Sequence, residues 1–456
     1  MTVSEVAVIP SPEGICQVKA SHDLARVSMS FDDDTLLPNG GLAVAGLLAQ
    51  RLGVADLVDD HVVLNSPESA NGGAKAATVI ASALAGGDVI DDVRVLRAGA
   101  TPRLFDDVRA ASTVGSWLRA FRWGGVRQLD RVTRTLLARA WAAGLGPDLD
   151  ADLTIDVDAT IVETYGLAKQ GGQRFSYTGV RGYHPLVASL ADTGELLHTR
   201  LRGGNAASGR GADTFFAETI ARVRHAGARG GLTVRADSGF YAGAVISACR
   251  RADARFSVTA RKNTAIRRAI EAIPDEAWTP IPYWLDDGAD VAETTYTAFA
   301  GTKHEVTARL LVRRVRPTPG SQLAMDVVFS YHAILTDRPG DLLTIEADHR
   351  RHAVVEHVIA DLKHHAGLAH LPSGVFAANA AWLALVGVAY NLARWTAHAA
   401  GLGRVTTKTL RLTIIAAPAR LVRSARRLRL RLPAGWPWAD RILDALDRCA
   451  AIPAPG

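Results

Sequence analysis

Hydrophobic and polar positions change their rhythm several times along the chain. Between Gly40 and about Gly146 the apolar residues recur at helical spacing. Leu42, Val44, Leu47, Leu48 and Leu52 mark one helix, and Gly53 breaks it. A second helix runs from about Lys75 to Leu84 and stops at Gly86-Gly87, and a short third covers Asp91 to Leu96. Ser112 or Thr113 has the chemistry of an N-cap. After it, Val114, Trp117, Leu118 and Phe121 fall at i, i+3, i+4 and i+7, and a last helix spans Asp130 to Ala143. Ahead of this region, Pro10, Pro12 and the run Asp32 to Asp34 predict an irregular start, with one strand near Val27 to Phe31.

From Leu153 the period shortens to two. Leu153 to Thr160 reads as a β-strand rich in Ile, Val and Thr. Leu186 to Leu190 and Glu195 to Leu201 are two more, joined by the turn chemistry of Asp192 to Gly194 as a hairpin. A Gly- and Ser-rich loop, Gly203 to Gly211, leads into a helix from Asp213 to His225. Strand Leu232 to Asp237, helix Ala242 to Arg251 and strand Arg255 to Ala260 follow. A hairpin followed by βαβ units predicts an α/β fold, a mixed sheet with flanking helices. Residues 263–339 then read as a β-rich insertion, with strands at Ala292 to Phe299, His304 to Val315 and Met325 to Leu335 and a turn at Asp286-Asp287-Gly288. Helical spacing returns over Leu342 to Gly367, and a buried helix covers Ala377 to Ala397. The expected organisation is an irregular segment 1–38, a helical domain 39–150, an α/β core 151–262 and 340–400 interrupted by the insertion, and a basic segment 401–456.

Composition narrows the function classes. At 456 residues with 48% hydrophobic and 21% charged content, the chain reads as soluble and globular, and large enough for several units. Its most apolar runs, Ala76 to Ala85 and Ala380 to Ala389, are about half the roughly 20 residues of a membrane span, so no membrane partner is expected. Cys16, Cys249 and Cys449 lie too far apart for a disulfide framework or a zinc site, which points to a reducing, cytoplasmic compartment. The net charge of +6 suits a polyanion. Basic residues decorate the helical region at Arg119, Arg122, Arg127, Arg131, Arg134 and Arg139, which makes residues 39–150 either a helical DNA-binding domain or an ordinary helical domain with solvated faces. The tail from Arg404 to Arg431 holds nine Lys or Arg and no Asp or Glu, with Leu and Arg alternating over Leu428 to Leu432. That tail is either a solvated surface or a nucleic-acid contact.

The candidate chemistry is acidic. Asp156 and Asp158 lie two apart on a strand, hence on one face, where burial and mutual repulsion call for a compensating cation. Asp237 ends a strand just before Ser238-Gly239, the position where α/β sheets place their chemistry. Glu356 sits on the helix expected over residues 343–366, close to an apolar side formed by Ile345, Val354, Val355, Ile359 and Leu362, and Lys363 lies two turns on. Asp158, Asp237 and Glu356 could converge on Mg2+, with Mn2+ as a substitute, for phosphodiester cleavage and transfer. There is no Walker-type loop, dinucleotide fingerprint or serine-hydrolase elbow.

Here the sequence resembles the DDE transposases of bacterial insertion sequences, which have a ribonuclease-H-like catalytic core. It is most similar to the subgroup with a β-strand insertion before the catalytic Glu. The matching pieces are Asp158-Ala159-Thr160, Gly182-Tyr183-His184-Pro185, Arg235 to Tyr241, the Glu356 to Lys363 helix, Ser112 to Gly115 with Leu118-Arg119, and Ala389 to Leu392. The resemblance implies a metal-binding catalytic triad of Asp158, Asp237 and Glu356. Asp156 is then its supporting neighbour, although these two aspartates could exchange roles. It implies double-stranded DNA as partner, both terminal inverted repeats and target, bound by a homodimer on paired ends at the bacterial nucleoid. Phosphate and duplex contacts fall to Lys363, His352, Arg351, Arg119, Arg122, Arg423, Arg426 and Arg427. The subgroup carries Tyr seven residues and Arg four residues before the Glu; this chain has His349 and His352 there, beside Arg350 and Arg351. His349, His352, His357, His364, His365 and His370 crowd one region without the order of a zinc site.

Overall fold

The computed structural model describes residues 23–176, 178–282, 288–317, 329–424 and 427–454. A nine-stranded mixed sheet runs through it. In sheet order its strands are Leu196–Arg200, Leu186–Leu190, Leu153–Ala159, Leu232–Ala236, Arg255–Thr259, Ser330–Thr336, Val306–Val315, Ala289–Ala298 and Thr279–Pro280. Leu186–Leu190 is antiparallel to both of its neighbours, and Leu153–Ala159, Leu232–Ala236 and Arg255–Thr259 run parallel. Among these five the chain order is 3-2-1-4-5, the ribonuclease-H-like arrangement. Ile155, Val157, Val187, Val234, Ala236, Phe256 and Val258 are all buried. Their near-continuous apolar runs are those of strands covered on both faces.

The strands of the insertion are not a separate sheet. Ser330–Thr336 pairs with Arg255–Thr259, so the antiparallel set prolongs the same sheet. The expected strand ends there shift: Ala289–Ala298 and Val306–Val315 are each ten residues long. Met325 and the turn residues Asp286 and Asp287 lie outside the described residues.

Helices Ala212–His225 and Gly243–Arg251 pack on each other, and Val354–His365 lies against Leu153–Ala159 and Leu186–Leu190. Phe376–Ala399, 24 residues long, touches Gly72–Ala85, Ala111–Ala120, Trp123–Ala142, Ala439–Ala451 and the strand Leu196–Arg200. By length and apolarity it could cross a membrane, but 83% of its apolar window is buried inside the protein. It joins the N-terminal helices and the sheet in one continuous core. Asn391 fixes it to the sheet, its amide exchanging two hydrogen bonds of 2.8 Å with the backbone of Leu196.

Several local expectations change. Residues 27–31 form no strand; Val27, Met29 and Phe31 alternate correctly but stand in solvent with no sheet edge to join. The strand lies instead at Leu36–Leu37, where Leu37 is buried against Ala419 and Leu421. Ser112 and Thr113 sit inside the first turn of Ala111–Ala120, and the N-cap is Ala110, with no side-chain hydrogen bond. The next helix starts at Trp123, seven residues early. Gly124-Gly125 disguised that start; a Cβ on Gly125 would come within 2.8 Å of a Leu64 methyl, so the helix packs closely on Leu64 there. The third segment is a 3-10 helix, Ile90–Arg97. The single helix expected over 343–366 is two, Leu342–Arg350 and Val354–His365, with a 3-10 turn between them at Arg351–Ala353.

Candidate active site

The two aspartates of the central strand have different surroundings. Asp156 stands directly opposite Arg235 on the parallel neighbour strand. Arg235 Nε and Nη2 donate to its two carboxylate oxygens at 2.8 and 2.9 Å, and His352 Nδ1 donates at 2.9 Å. Arg235 also reaches Asp348 at 3.0 Å, and Arg338 pairs with Asp348 in turn. Burial pushes the Asp156 carboxyl up, but the bonds from His352 and Arg235 outweigh it and hold the pKa below the ordinary value. A fully buried carboxylate is tolerable because both its oxygens and its charge are matched.

Asp158, two residues on, carries no such clamp. Its Oδ1 accepts from the Ala159 amide at 2.6 Å, and among the described residues it forms no ion pair with Arg or Lys. Burial pushes its pKa up to about 6, and the charges of Asp237 and Glu356 push the same way, against the Ala159 amide and His352. Asp237 is exposed just past Leu232–Ala236 and accepts from the Gly239 amide at 3.0 Å. A Cβ on Gly239 would lie 2.9 Å from Ser208, so the Asp237 turn packs tightly on the Gly203–Gly211 loop. Glu356 is exposed in the first turn of Val354–His365, rather than close to the helix's apolar side as expected. Lys363, two turns later, donates to the carbonyl of Ile161 at 2.8 Å. Burial pulls its pKa down, while Glu163 and Asp158 pull it up.

The three acids lie on three different elements, a strand, a strand end and a helix, and the charges of Asp237 and Glu356 act on Asp158 in the same direction as its burial. Their donor chemistry, carboxylate oxygens only, fits a hard divalent cation. Among the described residues no three His, Cys, Asp or Glu side chains close on a common point in the geometry of a bound ion.

His349 and His352 both point inward. His349 is buried, with its ring nitrogens on Ser257 Oγ at 2.8 Å and Thr259 Oγ1 at 3.0 Å, and burial drives its pKa down to about 3. It is a neutral strut between helix and sheet, not a surface ligand. His352 is spent on Asp156.

The expected arginines are dispersed. Arg351 is exposed, 3.9 Å from both Asp192 and Asp348. Arg119 borders a cleft of about 770 Å3 shared with Arg94, Arg97 and Lys169. Arg122 folds back onto the carbonyls of Arg119 and Phe121. Arg423 and Arg427 belong to a separate three-stranded sheet, and Arg426 lies outside the described residues. Two residues of the site had not been singled out. Arg235 is the counter-ion of Asp156. Its signal was its place two before Asp237, which puts it on the same strand face. His184 is buried, with Nδ1 2.7 Å from the carbonyl of Ala206 and its pKa lowered by burial, against a counteracting pull from Asp237.

A ribonuclease-H-like sheet with acids on neighbouring central strands defines the class. The chain matches the family model described as transposase DDE domain group 1 over residues 20–454, nearly its whole length, and it belongs to that family of DDE transposases. No curated protein matches it. Among solved structures it is similar to a cryo-EM structure of the piggyBac transposase synaptic complex with hairpin DNA. The identity is 10% and the TM-score 0.40, covering 83% of this chain and 80% of that one.

Proposed function

We propose that this transposase binds the terminal inverted repeats of a bacterial insertion sequence, cuts the DNA at their ends and joins those ends to a target. Asp158, Asp237 and Glu356 would hold Mg2+, and Asp156 would serve as the buried anchor of the site. The observation that supports this reading is the match to the DDE transposase family over residues 20–454, together with Asp158 at the end of a central strand, without a lysine or arginine ion pair among the described residues. A buried carboxylate that feels two other acids and has no lysine or arginine partner has much to gain from a divalent cation. Bound there, the metal would activate a water or a 3′-hydroxyl and stabilise the departing oxygen. The chain's own residues would do the rest. Arg235 and His352 fix Asp156 and so the strand that presents Asp158; Lys363 ties the same strand's exit to the Glu356 helix and lies beside the acids as a phosphate contact. By family resemblance the working form would be a homodimer on paired ends at the nucleoid.

A second reading, a transposase that binds DNA without cutting it, is favoured by the inward histidines at the signature positions. One experiment separates the two. Purified protein and Glu356→Ala are incubated with a terminal-repeat duplex, with Mg2+ and with EDTA. Metal-dependent nicking lost in the variant supports cleavage at this site; binding without nicking in any divalent ion leaves the second reading. A labelled 3′-hydroxyl end and a target plasmid then distinguish a transposase from a nuclease that stops at cleavage.

A further inference from the structure

The basic tail folds into a two-stranded antiparallel ribbon, Ala419–Ser424 and Arg427–Arg431, bordered by Leu36–Leu37. Residues directly opposite across such a ladder share a face. Ala419, Leu421 and Leu430 face inward onto Leu37, Ala100 and Leu104. The other face carries Arg420, Arg427, Arg429 and Arg431, all exposed. Arg420 stands directly across from Arg431, and Arg427 and Arg429 pair with Ser424 and Val422. Like charges directly opposite are destabilising. Among the described residues the one ion pair these four arginines form is Arg420 with Asp33, at 3.0 Å. The sequence holds no Asp or Glu between Arg404 and Ala439. A charged edge strand protects against edge-to-edge pairing, but that needs neither four arginines on one face nor two of them face to face.

We propose that this arginine face is a seat for duplex DNA, with the ribbon lying along a groove and its guanidinium groups on the flanking phosphates. Alternate residues of a strand are about 6.6 Å apart, and a major groove about 12 Å wide admits a two-stranded ribbon. The unbalanced charge that strains the free ribbon becomes binding free energy when phosphates neutralise it and release counterions. This deepens the transposase reading, on which it rests, by assigning a duplex-holding element outside the acidic site. It also shifts the contact from Arg423, which shares a face with Leu421 and Leu428, to Arg420, Arg429 and Arg431 beside Arg427.

The test uses the full chain, a labelled duplex of arbitrary sequence and a KCl series. Replacing Arg427, Arg429 and Arg431 together by Gln should flatten the plot of log affinity against log salt by about 2 to 3 and weaken binding at least tenfold at about 0.1 M salt. Replacing the same three by Lys should keep most of the slope, which separates charge from folding. Arg229→Gln, at a surface pair with Asp150 elsewhere, should change neither. Duplex binding and cleavage with an unchanged slope in the Gln variant overturn the ribbon and leave the transposase reading intact. A loss confined to single-stranded DNA also overturns it. Wild-type protein that binds no DNA at low salt overturns both.

Discussion

Asp156 and Asp158 are neighbours on one strand, on one face, with the same side chain, yet the fold treats them oppositely. Asp156 receives Arg235 in both oxygens and His352 beside them, so its carboxylate is stabilised and its pKa lies low. Asp158 receives only one backbone amide, and burial, with the charges of Asp237 and Glu356 in addition, raises its pKa to about 6. The difference is one of register. Asp156 pairs across the parallel ladder with Arg235, whereas Asp158 lies beyond the last residue of that neighbour strand, level with the open strand ends. A charge that is matched inside the protein supports the fold, while a charge that is left unmatched at a strand end is available to a ligand.

The sharpest way to break this comparison is Asp156→Ala. It strands Arg235 in the core with half its partners gone, and removing one member of a buried pair typically costs about 3–5 kcal/mol. Denaturant unfolding of the metal-free protein should show a loss of that order. A change below about 1 kcal/mol would mean that Asp348 alone satisfies Arg235, and Asp156 would no longer be the anchor of the site.

The reverse effect is expected at Asp158. Its folded pKa of about 6 lies above the ordinary 3.8, so the metal-free folded state holds the proton more tightly than the unfolded chain. Wild-type stability relative to Asp158→Asn should therefore be equal below about pH 4, decline as pH rises through 6 and stay low above it. A shift of two units corresponds to about 2–3 kcal/mol, so at pH 8 the Asn variant should be the more stable protein by roughly that amount. Mg2+ should raise the melting temperature of the wild type and leave the variant unmoved. If the variant is less stable at pH 8, Asp158 is an ordinary structural carboxylate and the contrast with Asp156 fails.

How much of this was legible follows from what each feature depends on. The strand Leu153–Ala159, the strand-end Asp237 and the helix bearing Glu356 are local patterns, and their periods and turn residues identified them. Arg235 was visible as a residue but not as a partner, because the Asp156–Arg235 register is set by the pairing of two strands 79 residues apart. The break at Arg351–Ala353 left no Pro or Gly to announce it. Val27 to Phe31 shows the converse failure: a strand-like alternation that found no edge. In the tail, alternation identified the Arg427–Arg431 strand, but only its pairing with Ala419–Ser424 reveals which arginines share a face.

The smallest of these effects is at His349, the buried residue between Leu342–Arg350 and the sheet. Its folded pKa of about 3 lies below the ordinary 6.5, because protonation would bury a charge against Ser257 and Thr259. The unfolded chain thus takes up the proton first, and this group makes the folded protein lose stability as pH falls from about 6.5 toward 3. That slope is opposite in sign to the one from Asp158, so the raw wild-type curve blends the two and only differences against variants resolve them. His349→Gln keeps a polar group at the strut without a titrating ring. Its stability between pH 7 and pH 5 should fall less than the wild type's, by about 1–2 kcal/mol. Equal acid slopes would show that the ring is protonated or exposed in the folded protein, and His349 would then not be a buried neutral strut.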